Sequence, residues 1–212
     1  VGEPLVLGDG RGGLAHGEVA AVGREELTVR VLRRETVPRP TPTVAVAQAL
    51  VKGDRGELAV ELATEAGADA VLPWRAARCV ARWDDGARGA KALDRWRSTA
   101  SAAAKQSRRA WLPEVGEPLG TAALARRCAG LPERGVALVL HESATVGLTD
   151  AVPRDVTEVL LVVGPEGGVT DEELAELAAS GARPVRLGPE VLRASTAAAV
   201  ALGALGVLTP RW

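Results

Sequence analysis

Apolar and polar residues alternate at period two along EPLVLGDGRGGLAHGEVAAVGREELTVRVLRRE, residues 3–35. That period marks strands with one covered face. Asp9-Gly10 and Gly12-Gly13 supply turn chemistry between them. The stretch reads as a small antiparallel β unit, part of a barrel. Pro38, Pro40 and Pro42 then predict a stiff, extended linker. The boundary falls near residues 37–42, giving a β domain over 1–37 and a second domain over 38–212.

Beyond the linker the pattern changes. TVAVAQAL (43–50), ADAVLP (68–73), GVALVLHE (135–142), EVLLVVG (158–164) and PVRLG (184–188) read as strands. GDRGELAVELATEAG (53–67), the basic KALDRWRSTASAAAKQSRR (91–109) and TDEELAELAASG (170–181) read as helices. LRASTAAAVALGAL (192–205) is a last helix, so apolar that it belongs deep in the fold or against another subunit. Strands alternating with helices predict a parallel sheet covered on both faces, an α/β fold.

Composition narrows the class. Apolar residues make up 47% of 212, enough for a core, yet there are five Trp and no Phe, Tyr or Met. With Met absent, a preceding segment is expected. Cys79 and Cys128 stand far apart in no metal or redox spacing, so both are expected to be reduced thiols in a cytoplasmic protein. No metal site and no membrane span are expected. The longest apolar run, Ser195 to Leu208, is shorter than the roughly 20 residues a bilayer needs.

The net charge of −1 conceals a separation. Ten Lys/Arg and three Asp lie between Arg75 and Arg109, whereas twelve Asp/Glu and four Arg lie between Ala110 and Ala182. One basic block on a near-neutral protein can hold a polyanion locally, or be a solvated helix face.

Several candidate motifs are excluded by context. Gly8-Asp9-Gly10-Arg11-Gly12-Gly13 fits G-x-G-x-x-G, but a dinucleotide loop must open a helix. Another alternating segment follows instead, so the stretch is a hairpin turn. No Walker sequence occurs. His16 and His141 cannot form a metal cluster at any recognised spacing. His141 nevertheless ends a strand, and α/β sheets bind ligands at such edges.

LVVGPEGGVTDEEL, residues 161–174, carries the strongest site signal. Gly164 ends a strand, Gly167 and Gly168 permit close backbone approach, and Thr170 with Glu173 forms a capping box. A glycine loop at a helix start usually suggests phosphate. Asp171, Glu172 and Glu173 in the first turn, with Glu166 in the loop, would repel one. A neutral or cationic ligand such as S-adenosylmethionine fits better. A third loop, LGPEVLRASTA (187–197), leaves Leu187-Gly188 and enters the last helix near Arg193. The three loops, at 140–142, 164–168 and 187–196, can converge into one site.

At these residues the chain resembles the RsmE-type RNA methyltransferases of the SPOUT superfamily. GPEGG after a strand, followed by LG-x-x-x-LR-x-x-TA, carries the likeness. K-x-DR-x-E at 52–57, TEAGADAVLP at 64–73, R-x-x-R at 75–78, the Trp and QS-x-R pattern at 96–109 and LHE at 140–142 extend it over nearly the whole chain. The resemblance implies a trefoil-knotted parallel-sheet domain preceded by a small PUA-like β-barrel. It implies S-adenosylmethionine as cofactor, a homodimer, and methylation at N3 of one uridine in 16S rRNA of the small ribosomal subunit. One departure stands out: Ser195 occupies a position where the family commonly has Glu.

The cofactor would then be held by Leu140, His141, Glu142, Gly164, Pro165, Glu166, Gly167, Gly168, Leu187, Gly188, Leu192, Ser195 and Thr196. Arg193 would hold the base as charge develops on it, and Glu166 is a possible base. Arg11, Arg75, Arg78, Arg108 and Arg109 would hold RNA phosphates. The rival reading is an RNA-binding module without catalysis, from which cofactor binding would separate it. A hydrolase or oxidoreductase ranks last, since neither G-x-S-x-G nor a dinucleotide fingerprint with its helix is present.

Overall fold

The computed structural model describes all residues from Val1 to Trp212. Strands β1 (Pro4–Gly8), β2 (Gly13–Val22) and β3 (Leu27–Thr36) form an antiparallel three-stranded sheet in sequence order. The turn between β1 and β2 is closed by Asp9, whose carboxylate accepts the N–H of Arg11 at 2.7 Å and of Gly13 at 2.9 Å. Those two backbone donors hold the Asp9 carboxyl below its ordinary range. Gly10 and Gly12 both have positive φ, at 72° and 94°, as the turn demands. A strand follows, so the glycine run is indeed a hairpin.

The second sheet is built from β4 (Thr43–Ala49), β5 (Ala70–Arg75), β6 (Glu114–Val115), β7 (Leu119–Gly120), β8 (Gly135–Leu140), β9 (Glu158–Val163) and β10 (Arg183–Val185). Its order is β10-β8-β9-β4-β5-β6, with β7 also on β5, and every pairing is parallel. Helices α1 (Arg55–Glu65), α2 (Ala87–Gln106), α3 (Thr121–Ala129), α4 (Leu148–Ala151), α5 (Asp171–Ala179) and α6 (Ala194–Leu208) complete it. β4, β5, β8 and β9 read as apolar runs because both faces are covered, and Val44, Val46, Leu160 and Leu161 are fully buried. From central β4 the chain proceeds to β5 on one side and places β9 on the other. The C-terminal edge beside β4 and β9 is therefore a topological switch point, where α/β sheets bind ligands.

The predicted elements are present with shifted ends, and four more appear. β6, β7 and α4 escape a periodicity reading because they are short, and α3, as long as α5, lacks the capping box that marks the start of α5. β10 stops at Val185, so Leu187-Gly188 lie in the following loop rather than in the strand. α6 begins at Ala194, with Arg193 as its N-cap residue.

The two sheets are joined through residues 110–112. Gly12 N–H donates to Ala110 O, Leu112 N–H to Gly10 O, and the Trp111 indole to Val37 O at 2.9 Å. A Cβ on Gly12 would meet the Trp111 ring at 2.7 Å, so this seam needs glycine.

One assignment to RNA is overturned here. α2 ends at Gln106, and Arg108 turns the chain through a left-handed conformation at φ 56°. That turn sends Arg109 inward. Its guanidinium donates to Thr64 O at 2.8 Å and Ala68 O at 2.6 Å, and lies 3.7 Å from Asp69. Arg211 pairs with the same Asp69 at 2.7 Å. The Arg109 side chain is only 13% exposed, and burial lowers its pKa. Arg109 ties α2 to the α1–β5 turn and is not free to hold a phosphate.

Candidate cofactor cleft

The loops after β8, β9 and β10 meet at the switch point and line a cleft of about 790 Å³. That is within the usual size of small-molecule sites, roughly 300–1,000 Å³. The residues singled out at 140–142, 164–168, Leu187, Gly188, Leu192, Arg193 and Ser195 all line it. Thr196 does not. Its hydroxyl donates back to Arg193 O at 3.2 Å and serves the helix start.

Each loop is fixed differently. His141 N–H donates to Val185 O at 3.0 Å, pinning the β8 end to β10, and its Nδ1 lies 2.9 Å from the Ser143 hydroxyl. The glycine loop closes when Gly168, at φ +76°, donates its N–H to Pro165 O at 2.9 Å. A Cβ on Gly164 would meet Val169 at 2.8 Å, and one on Gly167 would meet the Arg78 side chain at 3.1 Å. Both glycines therefore allow the loop to fold on itself and against Arg78, rather than making way for a ligand alone.

The capping box on α5 is present, with Glu173 N–H donating to the Thr170 hydroxyl at 3.2 Å. Glu173 does more than cap. It is 7% exposed, and its carboxylate accepts Ala77 N–H and the Thr121 hydroxyl, each at 2.8 Å, and Thr170 N–H at 3.3 Å. The Trp74 indole donates to the same Thr121 hydroxyl at 3.2 Å. One buried carboxylate thus binds the start of α5, the start of α3 and the segment after β5.

The third loop has a different character. Residues 187–192 take part in no backbone–backbone hydrogen bond. Residues 189–192 are exposed, so the free N–H and C=O groups of this loop are open to a ligand or to water. Their donors and acceptors suit a polar ligand, and the lining sets four carboxylates (Glu142, Glu166, Asp171, Glu190) against four arginines (Arg55, Arg78, Arg186, Arg193), which suits a ligand carrying both signs of charge. The chemistry of the donor set thus fits S-adenosylmethionine. Arg193 is exposed, its guanidinium meets no protein partner, and it stands at the mouth of the cleft.

Arg78, taken for a phosphate ligand, also lines the cleft and donates to Gly167 O at 3.0 Å. Arg75 pairs with Asp85 at 2.7 Å. Arg11 and Arg108 are exposed, and Arg11 bridges to Trp111, close in the chain to Arg108. Sequence reasoning missed Val51, Arg55 and Arg186, which also line the cleft. Val51 was legible in part, because it follows the strand beside the switch point.

Residues 37–206 match the family model described as an RNA methyltransferase domain. The chain is 58% identical over 212 residues to the ribosomal RNA small subunit methyltransferase E of Mycobacterium tuberculosis, covering 100% of this chain and 80% of the relative. Two solved structures resemble it at a TM-score of 0.86, each covering 98% of this chain and 84% of the other. One is a methyltransferase from Legionella pneumophila in complex with the bound cofactor SAM, at 30% identity. The other is a ribosomal RNA small subunit methyltransferase E from Neisseria gonorrhoeae bound to S-adenosyl methionine, at 26% identity.

Proposed function

We infer that this chain, which belongs to the RsmE-type RNA methyltransferases, transfers the methyl group of S-adenosylmethionine to ribosomal RNA of the small subunit. The observation that carries the reading is the cleft: three strand-end loops at a switch point, one of them with its backbone groups free. The acceptor we propose is N3 of a uridine in 16S rRNA.

When bound, S-adenosylmethionine supplies an electrophilic methyl group on a cationic sulfur. The protein's part is to bind, orient and stabilise. The free backbone of 187–192 and the 164–168 loop hold the cofactor, while Glu166 and Asp171 favour its positive charge. Alignment of the methyl carbon with N3 accounts for much of the acceleration. The uridine ring becomes anionic as its N3 proton leaves, and Arg193 is placed to hold that charge. Glu166, exposed at the cleft, is the candidate to accept the proton or to keep the loop and cofactor in place.

We also propose a division at residues 37–38, with the 1–37 sheet contributing to a PUA-like barrel that binds RNA, and a trefoil knot in the 38–212 domain. A homodimer in the cytoplasm completes the reading. Val200, Val207 and Trp212 on and after α6 are 47%, 78% and 71% exposed, an apolar surface that a second subunit would cover. The deciding experiment is calorimetry with S-adenosylmethionine, followed by mass analysis of rRNA from treated subunits. Cofactor binding without any methylated nucleoside would favour the RNA-binding module. No cofactor binding at all would end the methyltransferase reading.

A further inference from the structure

A second concavity, of about 690 Å³, adjoins the cofactor cleft. The two share Val51 and flank the first turn of α1, where Arg55 faces the cofactor side and Glu57 the other. Four cations line the second cleft without ion-pair partners: Lys52, Arg82, Arg88 and Lys91. The ion pairs of this face involve other residues, namely Arg75 with Asp85, Arg95 with Glu57, and Arg97 with Asp94 and Glu117. Asp54 is the only carboxylate in the lining that is not already paired.

The placement of these cations does not serve the fold. Arg88 and Lys91 sit at the start of α2, i and i+3, with Arg95 following on the same face. Positive charge at that end of a helix is unfavourable; Asp84, whose carboxylate accepts the N–H of Gly86 and of Gly89 at 3.1 Å, offsets part of it, but the first turn itself holds no acid. The four like charges also repel one another. An arriving polyanion relieves both effects.

The cleft has an aromatic wall as well. Trp83 is half-buried and packs edge-on against Trp96, with ring centroids 4.9 Å apart and planes at 78°. That packing fixes the ring while leaving part of it on the cleft. A positively charged groove beside a fixed aromatic ring is the arrangement that tracks single-stranded nucleic acid. Small anionic ligands would need the charge but not the ring.

We propose that this second cleft binds the unpaired RNA segment adjoining the target nucleotide, with its phosphates on Lys52, Arg82, Arg88 and Lys91 and one base stacked on Trp83. The inference rests on the RNA methyltransferase reading and deepens it. Because Val51 and the α1 start separate the two clefts, a strand lying in the second delivers its next nucleotide toward Arg193 and the cofactor. The subsite reads backbone and a π-face, so it contributes affinity and register rather than base identity.

The test uses the full chain, a short unpaired oligoribonucleotide of the small-subunit RNA, and small subunits that lack the modification. Arg88→Ala with Lys91→Ala changes two exposed positions. It should weaken oligonucleotide binding and lower the slope of log K against log[salt] by about 0.7 for each phosphate no longer neutralised. Trp83→Ala should weaken binding roughly ten- to a hundredfold, and Trp83→Phe should restore most of it. Cofactor affinity should match the parent in all of them, which also shows that they fold. Parent-like slope and affinity in the charge variant, with parent-level methylation of the subunits, would overturn the subsite and leave the methyltransferase reading standing. Failure of the parent protein to methylate subunits at all would overturn both.

Discussion

Glu173 is the residue whose loss should separate fold from function most informatively. Its carboxylate is 7% exposed and accepts three donors, from Ala77, Thr121 and Thr170. The two bonds at 2.8 Å share Oε1, while the 3.3 Å bond is to Oε2. A hydrogen bond to a charged group contributes about 1.5–3 kcal/mol, and a buried donor left alone costs about 1–3 kcal/mol. Glu173→Ala removes all three acceptors and should destabilise by about 3–5 kcal/mol, the two short bonds dominating. Glu173→Gln keeps a carbonyl oxygen where Oε1 lies, and so keeps both short bonds. It sets an amide NH₂ against Thr170 N–H and should cost about 1–2 kcal/mol.

Urea unfolding measures the difference, since a change of midpoint at constant slope reports stability alone. A domain of ordinary stability, about 5–15 kcal/mol, survives the Gln change and is badly weakened by Ala. The functional prediction follows from what Glu173 holds. The loop at 164–168 runs directly into α5, and Ala77 precedes Arg78, which donates to Gly167 O. Glu173→Gln should therefore loosen cofactor binding at a temperature where the protein remains folded. Equal stability of the Ala variant and the parent would refute the network. So would a Gln variant as unstable as the Ala one, because the shared role of Oε1 would then be wrong.

The remaining predictions concern other parts of the molecule. Arg109→Ala should cost about 2–4 kcal/mol by leaving the Ala68 carbonyl unpaired and removing one of the two cations beside buried Asp69, with no change in the salt slope of RNA binding. Arg108→Gly should do the reverse, raising stability by about 1 kcal/mol by relieving a left-handed arginine while weakening RNA binding. Thermal melts and salt titrations of the pair would show any failure of that division. Gly168→Ala should lower cofactor affinity in calorimetry, since φ +76° is strained for any side chain; a parent-like affinity would remove this loop from the site. Arg193→Ala should cut single-turnover methylation by about 2–4 kcal/mol of transition-state stabilisation while cofactor titration stays unchanged. Parent-rate methylation, or a defect traced to cofactor loss, would refute its role. Burial pushes the thiols of Cys79 and Cys128 up, so both should resist alkylation until the protein unfolds.

The sheet and its binding edge were legible because apolar runs of strand length recur between helical periods, and Gly164 and His141 fall where those runs stop. The glycine decoy was legible as well, since a period of two resumed after Gly13. Arg109 was not. Nothing in the QSRR stretch distinguishes an exposed arginine from one that a left-handed residue turns inward. The role of Glu173 was half legible: the capping box is a local pattern, whereas Ala77 and Thr121 lie far away in sequence. The second cleft was seen only as a charge surplus, because its lining joins residues 51–57, where the chain enters α1, to the start of α2, a proximity that only packing creates.

That last point bears on how the two halves of the reaction are held together. The segment from Arg75 to Cys79 contributes to the basic block, yet its backbone is bound by Glu173 and its Arg78 holds the glycine loop. The start of α1 likewise borders both clefts. The surfaces proposed to face RNA and cofactor therefore share the same backbone rather than meeting as separate modules. A phosphate that draws Arg78 away from Gly167 O would release one restraint on the cofactor loop, whereas one that leaves the bond intact would strengthen it by adding charge beside the carbonyl. Any coupling between the two ligands is reciprocal by thermodynamic necessity. It follows that the sign of that coupling, read as cofactor affinity with and without RNA, reports which of these two arrangements Arg78 adopts in the complex.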